Sequence, residues 1–417
     1  MNKFLMSKFK SFPPRLLSSL LVALFAACTN VAAPIQPTPS TGLPLVQFTS
    51  VPSVTRGAHL LGPEPTPFAT LTPLPGTTRF SNANVTQVIS ATSSVQSTRV
   101  NDATARFALD EQFIYWVSEP NAQLFRLAID DGEKELLASS QFNQYDDGYL
   151  FSDQIISTNK WLIFMDTRVN DTGIWALRAL NLTTKQDKIL MQETGSHAPM
   201  WSPAPDYSAE GDWLAWTRLE LGDATRCDQS ILGMTNLATD EERELERVCT
   251  ADHYIWTIPH LSGDNLIVEQ DLPDKQGRRN NIFLWNWKTG ERKALTTNGY
   301  SSMPSASGKW VVWKNAPRYT QSREYVIYNL DTEEQKSFQG LGCWSDPRTS
   351  GHWLYSSVCK RVPTIYDMER ERMVAVGELS KGDSLSGIAF SDKWAVWGVA
   401  RDTAAGKEYE IQWRRLP

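Results

Sequence analysis

The sequence predicts an all-β chain: a single β-propeller of seven four-stranded blades, closed by an N-terminal strand in the last blade and preceded by a disordered tether. Six blades is the alternative. Three observations predict this. First, a strand-like core recurs seven times at spacings of roughly 40–50 residues, the length of one blade: FIYW 113–116, WLIF 161–164, WLAW 213–216, NLIV 265–268, WVVW 310–313, WLYS 353–356 and WAVW 394–397. Second, each core is followed by a variable loop and another β-rich run, such as LFRLAI 124–129, IFLWNW 282–287 and YEIQW 409–413. Third, six of the seven units then carry a polar turn and a short strand, as in NLTTKQDKIL 181–190 and NWKTGERKAL 286–295. Acidic, Thr and Gly residues between apolar strands are hairpin chemistry. Each unit therefore reads as strands A, B, C and D, from the channel outward.

The N-terminus sets the address. Residues 1–15 carry Lys3, Lys8, Lys10 and Arg15 and no acid, and residues 16–27 (LLSSLLVALFAA) form an apolar run too short to span a bilayer. The run ends in Phe25-Ala26-Ala27-Cys28, which resembles the lipobox of bacterial lipoproteins, although Phe25 stands where that family prefers Leu. The resemblance implies cleavage before Cys28 and lipidation of its sulfur. The protein would then be extracytoplasmic and lipid-anchored to the bacterial membrane, at the cell surface or in the periplasm. An ordinary secretory signal with a chance cysteine is the alternative.

Residues 28–80 read as the tether. Between Thr29 and Phe80 the chain holds ten prolines, many Ser and Thr, and few charges. Such a segment favours extended polyproline conformations and buries no core. The propeller is expected over 81–417. Its seventh unit stops after strand C, so a spare β-rich segment must supply the missing strand. Asn84–Ala91 is the preferred donor and Val95–Val100 the second.

The formal charge is −6, and without the basic N-terminus 37 basic residues face 47 acidic ones. An acidic domain is a poor nucleic-acid binder, because phosphate contacts need a basic surface. Apart from Cys28 the cysteines are Cys227, Cys249, Cys343 and Cys359, with no zinc spacing. Cys227 and Cys249 flank a predicted C–D turn, and Cys343 and Cys359 flank a predicted A–B turn. Each pair falls on facing strands of one hairpin, so bridges 227–249 and 343–359 are expected in an oxidising compartment.

Pro199-Met200-Trp201-Ser202-Pro203, followed by Gly211-Asp212-Trp213-Leu214-Ala215-Trp216, resembles the repeat of TolB-like propellers, within the broader WD-like class. Here the motif is interrupted by APDYSAE. The resemblance covers about 81–417. It implies a propeller and protein–protein interaction in the cell envelope. It also touches the propellers of prolyl-oligopeptidase-type enzymes, but no α/β-hydrolase-like region follows.

Catalytic signals are thin, and no catalytic residue, metal or cofactor is assigned. Gly382-Asp383-Ser384-Leu385 spells a hydrolase nucleophile motif, but the 32 residues after it contain no histidine, so a polar turn is the better reading. His197 and His253 lie at the starts of A strands, where they could meet at the channel. Asp146 and Asp147 precede another A strand, between Tyr145 and Tyr149. The B–C loops are long (Asp166–Gly173, Arg218–Gln229, Gln270–Asn281, Lys314–Glu324 and Gly398–Lys407), and two of them carry Arg278, Arg279, Arg318 and Tyr319. Long loops on a rigid scaffold are where binding tends to sit. The expectation is a monomeric binding or scaffold module for an envelope or extracellular protein or glycan, held at the membrane through Cys28. A lyase or hydrolase acting on a polysaccharide at the channel is the alternative.

Overall fold

Each recurring core becomes the second strand of an antiparallel sheet, and seven such sheets form a seven-bladed propeller. The computed structural model describes residues 78–79, 88–90, 93–100, 107–118, 122–142, 148–168, 174–193, 204–222, 225–250, 255–272, 279–315, 324–339, 346–355, 363–404 and 406–417. The signal segment, Cys28 and most of the tether lie outside them. The B strands are Phe113–Ser118, Trp161–Arg168, Trp213–Glu220, Asn265–Leu272, Trp310–Asn315, Trp353–Tyr355 and Trp394–Thr403.

Period-two alternation gives each B strand two apolar faces, and each face meets a different neighbour. Trp313 packs with Ile267 and Ile282 of blade four, whereas Trp310 packs with Leu354 and Tyr366 of blade six. Trp216 faces blade two and Trp213 blade four. Trp397 faces blade six and Trp394 blade one. Seven apolar clusters result, one at each junction between consecutive blades, including that between blades seven and one. Trp116, Trp216, Trp313, Trp353 and Trp397 are fully buried. Each such side chain removes enough apolar surface to contribute roughly 4–6 kcal/mol of transfer free energy.

Two of these rings lie over glycines. A Cβ at Gly233, opposite Trp216 in the ladder, would stand 2.2 Å from the Trp216 ring, and one at Gly377 would stand 2.4 Å from that of Trp397. The Trp216 indole Nε1 also donates to Thr235 Oγ1 at 3.0 Å, which fixes the ring across the strand.

The C–D turns share one construction. Asn181, Asn236, Asn286, Asn329 and Asp367 each accept, through the side-chain oxygen, the backbone N–H groups two and three residues on. These are Asx turns, which satisfy the backbone locally. The residue after each Asn or Asp donates its own N–H to the A–B turn of the same blade, as Leu182 does to Lys160, Leu237 to Asp212 and Met368 to His352. Two short turns are thereby tied together at one end of the blade.

The N-terminal segment completes the ring, with one correction. The outer strand of blade seven is Gln96–Val100, antiparallel to Gly406–Arg415 with Gln96 opposite Trp413. The preferred donor, 84–91, does not occupy this place. Its residues Val88–Ser90 instead lie parallel to Arg372–Ala375 on the rim of blade six, and Thr78–Arg79 lie parallel to the outer strand of blade five. Val100 explains the choice, because it joins the apolar junction with Phe107, Trp116 and Trp413.

Two smaller expectations are also corrected. APDYSAE is not an interruption, since Asp206–Glu210 is the inner strand of blade three. The expected loop Gly398–Lys407 is mostly strand: pairing runs from Trp394↔Arg415 to Thr403↔Gly406, closed by a tight turn with Gly406 at φ 124°.

Two outcomes follow. Truncation to Ser93 should leave a cooperative melt within a few degrees of the parent, whereas truncation to Asn101 should lower the midpoint by well over about 10 °C, by loss of a packed strand. Gly233→Ala should cost about 2–4 kcal/mol in urea denaturation, through overpacking against Trp216.

Candidate functional site

Antiparallel blades put all B–C and D–A connections on one face of the propeller and the short A–B and C–D turns on the other. Toward the first face, blades three and four carry the acidic groups Asp206, Glu269 and Asp271. Core position five, apolar in blades one and two (Val117 and Met165), is Glu269 in blade four. Strand parity turns Glu269 toward blade five. There it accepts a hydrogen bond from the Met303 backbone N–H at 2.8 Å through one carboxylate oxygen, and from the Asn280 amide through the other. Met303 adopts a left-handed φ of 55° within an irregular register of its inner strand, and this turns its N–H toward the carboxylate.

Glu269, Gln270 and Asp271 are all buried, at 3, 3 and 4 % exposure. Burial pushes the Glu269 carboxyl up to about 7. The two hydrogen bonds oppose this shift, while the charges of Asp271 and of Asp206, from blade three, reinforce it. A carboxyl in this range exchanges protons near neutral pH, as general acids and bases do. Amides and hydroxyls continue the polar layer: Ser301 Oγ donates to Asn315 at 2.7 Å, and Asn281 accepts from the Gly299 N–H at 3.0 Å.

Blade two treats its buried acid differently. Arg178 donates to Asp166 at 2.7 Å, also bonds Asp187, and reaches the Ser139 carbonyl at 2.8 Å. Asp166 in turn accepts from Ser140 Oγ at 2.6 Å and the Gln141 N–H at 2.8 Å. This charge is paired and locks the connection from blade one, a structural use of a buried ion pair.

The sequence-derived candidates fall mostly outside the described residues. Asp146, Asp147, His197, His253, Arg278, Arg318 and Tyr319 lie outside them, as do Cys343 and Cys359. Arg279 opens the C strand of blade four opposite Leu272. The strand ends that flank these positions are at the loop face. The bridge between Cys227 and Cys249 is present, with Cα atoms 5.8 Å apart. It closes the open end of the C–D hairpin of blade three, beside Thr250 N–H···O=C Asp228 at 2.8 Å. The hydrolase-like motif is the last residue of a turn followed by the start of the inner strand of blade seven, Asp383–Phe390: Asp383 pairs with Arg401 at 2.8 Å, and the Ser384 hydroxyl donates to the Ala400 carbonyl. Among the described residues no group of three His, Cys, Asp or Glu side chains has a geometry able to hold a metal.

His260, not singled out by the sequence reading, lies in the inner strand of blade four. Burial and then the Arg348 charge push its imidazole down to about 4, so it is neutral at physiological pH.

With the geometry in place, comparison with known proteins adds only to the fold. No family model matches the sequence, and no curated protein does. The β-propeller domain of the Trilobed protease from Pyrococcus furiosus is 10% identical over 76% of this chain and 96% of that one, with a TM-score of 0.52. This chain is a β-propeller. The Pyrococcus horikoshii acylaminoacyl peptidase is 12% identical over 76% of this propeller chain and 52% of that enzyme, with a TM-score of 0.51, so the chain spans about half the enzyme's length. TolB from Acinetobacter baumannii is 14% identical over 70% of this chain and 60% of that one, with a TM-score of 0.39. At such identities the likeness concerns the fold alone.

The Glu269 environment generates a pH test. A carboxyl with a raised folded pKa holds its proton more tightly when folded. Its contribution to stability is complete below the ordinary value of 4.5 and is lost as pH rises through about 7. Glu269→Gln should remove on the order of 2 kcal/mol of the stability lost between pH 5 and pH 8, read from urea melts at both pH values.

Proposed function

We propose that the protein is a lipid-anchored, extracytoplasmic propeller that binds an envelope or extracellular protein or glycan through its loop face. The observation that carries this reading is the difference between the two faces. On one, the A–B and C–D connections are short and tied down by repeated Asx turns. On the other, the connections between strands B and C vary in length and sequence, from 119–122 in blade one to 221–228 in blade three and 316–323 in blade five. A rigid ring with one variable face is the usual arrangement of a recognition scaffold. Arg318, Tyr319 and Arg278 belong to the residue types that dominate binding hot spots. The N-terminal charge, the short apolar run and Cys28 support the anchored address.

A second reading, an enzyme acting on a polysaccharide at the channel, is favoured by one observation: a buried Glu269 with its pKa pushed up to about 7 beside Asp206 and Asp271. Such a group is suited to proton transfer at neutral pH. Turnover of an oligosaccharide panel, abolished by Glu269→Gln and by changing His197 and His253, would decide for this reading.

The test of the first is crosslinking and pull-down from envelope with the mature protein. Cys28→Ser should release the protein from membranes into the soluble extracytoplasmic fraction. Replacing 316–323 with a Gly/Ser linker of equal length should reduce partner capture about tenfold or more, the cost of losing one hot-spot side chain, with an unchanged melting midpoint. Capture that survives replacement of each B–C connection in turn would sink the loop-face assignment.

A further inference from the structure

We infer that the cleft between blades one and two, on the short-turn face, is a binding site for a neutral oligosaccharide. It goes beyond the loop-face reading, because it lies at the opposite end of the propeller and uses none of the same residues. The cleft has a volume of about 340 Å³, within the range of small-ligand sites. It opens where the A–B turn of blade one meets the A–B and C–D turns of blade two.

Its walls are rigid. Asp110 accepts the backbone N–H groups of Gln112 and Phe113, both at 2.8 Å, and the buried Tyr115 hydroxyl at 2.6 Å. That carboxylate is therefore fully engaged and holds the turn and the aromatic wall in one geometry. Arg126 lies over the Phe113 ring at 4.2 Å and forms an ion pair with Glu135. Glu135 is in turn held from blade two by Lys185 at 3.2 Å. Glu111 is paired to Lys393 of blade seven at 2.8 Å.

Asp110 is thus committed to its own turn and Arg126 to Glu135, while Glu111 and Glu135 are also paired across the blade junctions, so no net charge is left to select an ion. The groups that remain are of another kind. The side-chain amides of Gln112 and Asn159 and the hydroxyl of Thr183 are exposed and line the same space. Each can both donate and accept, which matches the dual character of sugar hydroxyls. The half-buried Phe113 ring, with Arg126 over one face, supplies apolar surface for the C–H face of a pyranose, while the buried Tyr115 stands behind it. Donor–acceptor groups of mixed sense beside one aromatic ring, with balanced charge, fit a neutral sugar better than a phosphate, a metal or an acidic polysaccharide.

The experiment is calorimetric titration of the full lipidated chain in detergent with cellotetraose, xylotetraose, chitotetraose and maltotetraose, and with tetragalacturonate as the charged control. At least one neutral tetrasaccharide should bind with a Kd below about 1 mM, and tetragalacturonate about tenfold or more weaker. Asn159→Ala and Gln112→Ala, both exposed changes, should each weaken binding about tenfold, as expected for losing one hydrogen bond to a desolvated hydroxyl, with an unchanged melting midpoint. Capture of the envelope partner should be untouched by either variant, which separates this site from the loop face. No binding by any neutral sugar up to about 10 mM, tighter binding of the uronate, or affinity unmoved by the two variants would each overturn the assignment.

Discussion

The packing of one blade against the next is the constraint on which everything else rests. A single four-stranded sheet with apolar residues on both faces cannot stand alone in water. It needs a neighbour on each side, and that neighbour needs another, until the series closes on itself. In blades three, five and seven paired tryptophans three residues apart solve the problem locally: Trp310 and Trp313 point to opposite faces of one strand, so the blade grips both neighbours through one short sequence. The glycines under Trp216 and Trp397 belong to the same solution, since a wide ring needs a strand without a side chain beneath it.

This arrangement also sorts polar groups by their task. At the short-turn end, Asn and Asp side chains are spent on the backbone and ion pairs bridge adjacent blades, so the surface is fixed. At the loop end, buried polar residues sit under connections whose sequences differ from blade to blade. Asp166 is neutralised by Arg178, but among the described residues Glu269 is held by an amide and a backbone N–H. The contrast separates a carboxylate that serves the framework from one free to change its protonation state.

The fold was legible from the sequence because its repeating unit is short-range. The WVVW alternation, the NLTTK-like turns and the truncated seventh unit all read directly, and the 227–249 bridge followed from hairpin symmetry. The closing strand was harder. The 84–91 and 95–100 segments are similarly β-prone, and an outer strand has too little burial to mark its pattern; only the contact of Val100 with Phe107 and Trp413 distinguishes them. Glu269 was missed for a related reason. In the sequence it falls between the apolar core 265–268 and the expected loop Gln270–Asn281, and its partner is Met303 of the next blade. An acid at a core position that is Val117 in blade one and Met165 in blade two was the available signal. At the hydrolase-like motif, 382–385, the Asp383 carboxylate is paired with Arg401.

Pairing Gln96 with Trp413 has a consequence for how the protein is made. The strand that shuts the ring precedes every blade in the chain, and its partner follows nearly all of them. A chain made N-terminus first delivers the latch long before the catch. Until the last strand arrives, blade one lacks a neighbour and its Trp116 face stands open to solvent. Loop-closing entropy across more than three hundred residues must then be overcome in one late step. The nascent ring is therefore most exposed to misassociation at the moment before it is finished, and the short strands Thr78–Arg79 and Val88–Ser90, paired to blades five and six, keep that latch close to the place where it will be needed.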